Sequence, residues 1–305
     1  MYRTLALSLW VGLFAAFAAP QSARAELSVV ATVPDLAALV KEVGGSKVSV
    51  TALSLATQDP HWVDAKPSLV LKVNQADLLV AVGVQLEVGW LPVLQSGARN
   101  SRIQRSGAGF LECAAHVELL EVPRVPVNRS MGDVHPGGNP HFLYDPRQAR
   151  ACASAIASKM AALDPDNATA YHKNLAEFGR RLDRARQQWE KRMDRHRGTS
   201  VVTYHRSWVY LTKWLGLVEV ATLEPKPGIP PSPGHLAKVI RLARSKQVKL
   251  LFQEAYYPSR TGNLVADKIG ARLVSLPGGT DFRKGQSYLD HMEQVISRLD
   301  KALGR

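Results

Sequence analysis

Two cysteines, Cys113 and Cys152, are all that 305 residues contain. Their separation fits neither a C-x-x-C redox pair nor a zinc knuckle. In an oxidising compartment they would form one disulfide, and two buried free thiols are the other arrangement. Cysteine therefore does not carry the chemistry. Acidic side chains are also scarce, 26 against 39 Lys and Arg, for a net charge of +13. Such a balance suits nucleic acid or an anionic membrane surface. Aromatic residues do not interleave with the basic ones, however, and many of the latter fall between Arg180 and Arg197, the solvated face of one expected helix. Nucleic acid is set aside as a partner on that ground. Beyond the N-terminus no apolar run approaches the ~18 residues that span a bilayer. H-E-x-x-H, G-x-S-x-G and a phosphate-cradling glycine loop are missing too, which weighs against an enzyme. No repeat of fixed period and no low-complexity tract occurs.

What is present begins with a targeting segment. Arg3 precedes an apolar run from Leu5 to Ala19, and Ala23-Arg24-Ala25 gives an A-x-A cleavage pattern. The expected mature chain starts at Glu26, and losing Arg3 and Arg24 lowers its net charge from +13 to +11. With no cysteine among residues 1–25 there is no site for a lipid anchor at the cleavage point. The product is expected to be periplasmic and unanchored.

The mature chain alternates short β-rich runs with helical patterns, which argues for mostly parallel sheets covered on both faces. Strands are expected at Leu27–Thr32, Lys47–Leu53 and Ala76–Val82, with helices at Pro34–Val43, Lys66–Asn74 and Trp90–Gln95. A loop region rich in proline follows, and Asp145-Pro146 opens a helix to about Leu163. The strongest helical signal runs from Ala168 to Arg195, where Tyr171, Leu175, Phe178, Leu182, Trp189 and Met193 recur at three- and four-residue steps. At 1.5 Å per residue it would span about 40 Å, the width of a domain. After Gly198 the alternation resumes, with strands at Ser200–Thr203, Val248–Gln253 and Arg272–Ser275. Helices are expected at Trp208–Leu215, His235–Lys246, Thr261–Ile269 and Ser287–Leu303. The fold class is thus α/β, two lobes joined by one long rigid helix. The boundaries are residues 26–164 for the first lobe, 165–198 for the linking helix and 199–305 for the second lobe.

Chemistry concentrates where these runs give way to loops. Asp59-Pro60-His61 and Asn139-Pro140-His141 repeat one device, in which proline fixes its own φ and restricts the residue before it. His205 directly follows the strand-like run Val201–Tyr204, and Asp281 follows Leu273–Ser275 through Pro277-Gly278-Gly279. Open α/β sheets place their ligands at these carboxyl ends. Three imidazoles and one carboxylate make a tetrahedral shell for a borderline-soft divalent metal such as zinc. One lone histidine would more often be structural; four candidates at equivalent edges of two lobes point to a metal.

The stretches Asp59-Pro-His61-Trp-Val-Asp-Ala-Lys-Pro-Ser, Gly138-Asn-Pro-His141-Phe-Leu-Tyr-Asp-Pro, Tyr204-His205-Arg-Ser-Trp-Val-Tyr and Phe252-Gln-Glu254 resemble the zinc- and manganese-binding proteins of bacterial ABC importers, the cluster A-I substrate-binding proteins. The resemblance runs in order across the mature chain. It implies a metal held in the cleft between the lobes by His61 and His141 from the first and His205 from the second, with Zn2+ as transported cargo. An ABC permease in the inner membrane is the implied partner and a periplasmic metallochaperone a further candidate. The chain is expected to act as a monomer. Manganese members carry a carboxylate at the third position, so His205 resembles the zinc type.

The fourth ligand departs from the pattern. The family's Gly-Asp-Ser-Tyr stretch reads Gly285-Gln286-Ser287-Tyr288 here, and Asp281, five residues earlier, is favoured over Gln286 or water because a carboxylate binds zinc better than a neutral amide. Glu254 is expected to accept a hydrogen bond from a ligand histidine, or to be an ordinary strand-end acid. His135, with His116, stands in for the long histidine-rich loop of zinc members and is a candidate for metal capture. The alternatives are a manganese-binding homologue and an exported zinc hydrolase using Glu254 as general base.

Overall fold

The computed structural model describes residues 26–127 and 134–304; the expected export signal lies outside them. Four strands, β1 (Leu27–Ala31), β2 (Val48–Ala52), β3 (Leu78–Ala81) and β4 (Phe110–Glu112), form one sheet in the order β2-β1-β3-β4, every pairing parallel. A second sheet repeats this order as β6-β5-β7-β8, with β5 (Ser200–Thr203), β6 (Val218–Thr222), β7 (Leu250–Glu254) and β8 (Arg272–Leu276), again parallel. The central strands are continuous runs such as Leu78-Leu-Val-Ala81, buried at every position, as parallel strands covered on both faces must be. β4 and β6 escaped the pattern reading. β4 has only three residues, and β6 is an edge strand with no fully buried position.

The first sheet is covered by α1 (Pro34–Gly44), α2 (Pro67–Asn74), α3 (Leu91–Ala98) and α4 (Pro146–Leu163), the second by α6 (Val209–Leu215), α7 (Pro233–Ser245), α8 (Ser259–Ile269) and α9 (Tyr288–Leu303). Proline opens α1, α2, α4 and α7, where its missing N–H costs nothing and its fixed φ already suits a helix. Ser287 caps α9, its side chain accepting from the Asp290 N–H while Asp290 reaches back to the Ser287 N–H.

Between the lobes runs α5 (Ala168–Met193), 26 residues long. Tyr171, Phe178, Leu182, Trp189 and Met193 bury one stripe of it against α1, α4 and α9. Burying each such side chain contributes roughly 1.5–3 kcal/mol. Polar anchors tie the helix to both halves. Asn174 Nδ2 donates to the Val43 carbonyl at 2.9 Å and Arg181 pairs with Glu42 on α1. Trp189 Nε1 donates to Glu293 on α9 at 2.7 Å, and Arg192 pairs with the same carboxylate at 2.6 Å. The result is one core that crosses from lobe to lobe, with a separate smaller core on the far face of each sheet.

Cys113 and Cys152 are buried free thiols; their mutual hydrogen bond and burial push the Cys113 thiol well above its usual range. No described helix is long and apolar enough to cross a membrane. His196 and His291 are buried. His196 bonds Asp300 at 2.9 Å, and His291 lies 3.8 Å from Asp35.

Candidate metal centre

The two X-Pro-His turns work through the residue before proline. Asp59 Oδ1 accepts from the His61 backbone N–H at 3.0 Å, and Asn139 Oδ1 accepts from the His141 backbone N–H at 3.0 Å. Such side-chain turns fold the backbone back on itself, and proline removes the freedom that would let it unfold. The two then diverge. Asp59 Oδ1 also binds His61 Nδ1 at 2.7 Å, leaving Nε2 to face inward. Asn139 turns its amide to the other lobe, donating to the Arg206 carbonyl at 2.9 Å. His205, two residues beyond β5, has its Nδ1 against Glu224 Oε2 at 2.6 Å.

The three imidazoles converge. One nitrogen from each of His61, His141 and His205 lies within 4.8 Å of the others, and the ring centroids stand 5.3 to 5.4 Å apart. His61 and His205 are buried, and His141 Nε2 is enclosed without a hydrogen-bond partner. A neutral nitrogen left so is a lone pair awaiting a cation, because its burial otherwise costs the desolvation of an acceptor. The residues therefore fit a divalent metal.

Electrostatics differ from ring to ring. Burial pushes the His141 imidazole well below its ordinary value, with the neighbouring His61, His205 and His135 adding to the effect, so this ring stays neutral. Burial also pulls His205 down, but its hydrogen bond and charge interaction with Glu224 outweigh that and raise it. For Asp59, burial works upward and the His61 contacts outweigh it, so its carboxyl is held low and ionised.

The lobes are stitched around this centre. Tyr210 Oη donates to the Asn139 carbonyl at 2.8 Å, Tyr288 Oη to the Leu143 carbonyl at 2.7 Å and Tyr257 Oη to Asp59 Oδ2 at 3.2 Å. Thr280 donates to Asp35 through both its N–H, at 3.0 Å, and its hydroxyl, at 2.6 Å.

Several expected site residues lie elsewhere. Asp281 is not in the histidine group; its carboxylate takes Lys284 Nζ at 2.9 Å. Its N–H donates to Gln286 Oε1 at 2.7 Å, and the Gln286 amide goes on to Gln294 at 3.2 Å. The five-residue turn thus bonds to itself, and that local closure keeps both side chains from the cleft. Glu254 is wholly buried at the end of β7, yet neither carboxylate oxygen has a hydrogen-bond partner; the Ser207 hydroxyl lies alongside without bonding geometry. No ligand histidine donates to it. Those roles fall to Asp59 and Glu224. Asp59 was visible in its motif but assigned only a turn, and Glu224 follows the unrecognised strand β6. His135 approaches at the His61 corner, its Nε2 3.4 Å from His61 Nε2, and stands outside the three that converge within 4.8 Å. His116 is exposed on the first lobe.

Twinned parallel sheets, a spine helix and a histidine centre drawn from both lobes define a bilobal metal-binding protein. Residues 29–302 match the family described as zinc-uptake complex component A, periplasmic, and the chain belongs to it. It is 25% identical over 286 residues to the high-affinity zinc uptake system protein ZnuA of Bacillus subtilis (strain 168), covering 91% of this chain and 88% of that one. It is 23% identical over 290 residues to the manganese ABC transporter substrate-binding lipoprotein PsaA of Streptococcus anginosus, covering 92% and 90%. Among solved structures, a crystal structure of ZnuA superposes with a TM-score of 0.77 at 23% identity, covering 92% of this chain and all of that one, a likeness of fold. The chain is a metal-binding substrate-binding protein of an ABC transporter, a class whose partner is a membrane permease.

Proposed function

We propose that the protein is a periplasmic zinc carrier, holding one Zn2+ on His61, His141 and His205 and delivering it to its permease for import. The observation that supports this most is the all-nitrogen convergence within 4.8 Å. Imidazole suits zinc, whereas manganese takes carboxylate, carbonyl and water oxygens. The carboxylates nearest to two of the rings, Asp59 and Glu224, sit against Nδ1. There they set the tautomer and raise ligand basicity instead of coordinating. With ligands drawn from both lobes, the ion itself holds the cleft shut. Because α5 is anchored to both halves, release is expected through small displacements of ligand turns on docking, not through wide hinge opening. Nothing in this chemistry requires catalysis, so the protein acts as a carrier and not as an enzyme.

The test is metal analysis of the mature protein followed by zinc and manganese titration by calorimetry. One zinc per chain with clear preference over manganese is expected. A stoichiometry near zero, or preference for manganese, refutes the reading.

A further inference from the structure

Near the triangle of ligand histidines lies a fourth imidazole. His135 Nε2 is 3.4 Å from His61 Nε2, and the two rings stack with centroids 5.5 Å apart. Two nitrogens bound to one tetrahedral zinc at about 2.0–2.1 Å lie about 3.4 Å from each other. The His61–His135 pair already has that edge length. His61 carries its ring proton toward Asp59, so its Nε2 offers a lone pair.

A second observation concerns what holds His135 there. Val84, beside the His135 ring, sits in the left-handed region at φ 44°. A β-branched residue is a genuine outlier there, at a cost on the order of 1–3 kcal/mol. The conformation is enforced from behind, since Glu112 Oε1 accepts from the Val84 N–H at 3.1 Å and Glu87 Oε2 from the Gly83 N–H at 3.1 Å. On the other side, a Cβ at Gly137 would come within 2.7 Å of Val84 Cγ1, so only glycine lets the His135 loop seat on this residue. Strain of this kind persists where the surroundings over-determine it, often at ligand clamps.

We propose that His135 is the fourth ligand of the cargo ion, completing an all-imidazole shell with His61, His141 and His205. This rests on the zinc-carrier reading and adds the identity of the last ligand. Four neutral imidazoles leave the ion its full charge of about +2, and the Asp59 and Glu224 carboxylates, one hydrogen bond behind the ligands, balance it. A shell without oxygen sharpens selection against manganese. Three ligands sit on turns locked to strand ends or proline, while His135 sits on a loop outside any helix or strand. It stands at the His61 corner, outside the group that converges within 4.8 Å, so a shift of this loop side chain toward His141 and His205 completes the shell around the ion.

The test uses the mature protein with zinc and with Co2+ as a spectroscopic probe, comparing wild type with His135→Ala and Asp281→Ala. Zinc K-edge X-ray absorption is expected to count four imidazoles in wild type and three in His135→Ala. Zinc affinity should fall by more than the roughly 10–100-fold that losing a partner behind a ligand costs, and the visible cobalt bands should shift. Asp281→Ala should change none of these, and circular dichroism should show both variants folded. Three imidazoles in wild type, or an unchanged His135→Ala, overturns this assignment while leaving the carrier reading standing. A wild type that binds no zinc overturns both.

Discussion

Replacing Glu254 by glutamine should stabilise the protein in alkali and leave it unchanged in acid. The carboxyl is wholly buried at the end of β7 with no hydrogen-bond partner on either oxygen. Burial pushes it up to about 7, more than His205 and Ser207 hold it down. Between its ordinary value of 4.5 and about 7, the folded state binds more protons at this group than the unfolded state does. Stability from this group is therefore complete below 4.5 and lost as pH rises through 7. A shift of about 2.5 units at 1.36 kcal/mol each gives a penalty of about 3 kcal/mol once the carboxylate must ionise inside the protein. Glutamine keeps the shape of the protonated acid and carries no charge. Urea unfolding of chelator-treated wild type and Glu254→Gln at pH 5 and pH 8 measures this directly. The variant's advantage should stay under about 1 kcal/mol at pH 5 and reach about 3 kcal/mol at pH 8. Parallel stability profiles across that range would refute the reasoning, because they would mean that the carboxylate is compensated in the fold. Zinc near His205 favours the ionised form, so adding zinc should narrow the difference at pH 8.

Glu224→Gln should leave the fold intact by circular dichroism but weaken zinc binding roughly 10–100-fold in a competition assay, since it removes the carboxylate that sets the His205 tautomer; unchanged affinity would show that the 2.6 Å contact does not orient the ligand. Trp189→Ala should cost about 3–5 kcal/mol in denaturant unfolding, the usual result of emptying a fully buried aromatic site, with the bond to Glu293 lost as well. A cost below 1 kcal/mol would argue that α5 is not the structural spine.

Alternation of apolar runs with helical periodicity was enough to place six of the eight strands that pair in the two sheets, because a buried parallel strand must be apolar along its whole length and a covering helix along one stripe. The same physics hid β4 and β6. Both lie at sheet edges: Phe110–Glu112 is only three residues long, and Val218–Thr222 has no fully buried position, so each is supported by pairing with a neighbour more than by its own pattern. Missing β6 also removed the only local context for Glu224, which lies two residues beyond its end.

The repeated X-Pro-His turns and the strand-end position of His205 were legible because they are local, with the orienting Asp59 or Asn139 two residues from its histidine. The sequence by itself therefore determined six of the eight strands that pair in the two sheets, the spine helix and the histidines that converge. Which group stands beside them was decided by tertiary structure alone. Asp281 looked suitable from its residue type, but five residues of turn closed on Gln286 and Lys284. His135, 74 residues from His61, came within 3.4 Å of it. Short-range hydrogen bonds are encoded in neighbouring residues, whereas a contact across such a separation exists only once the core has fixed where both loops lie.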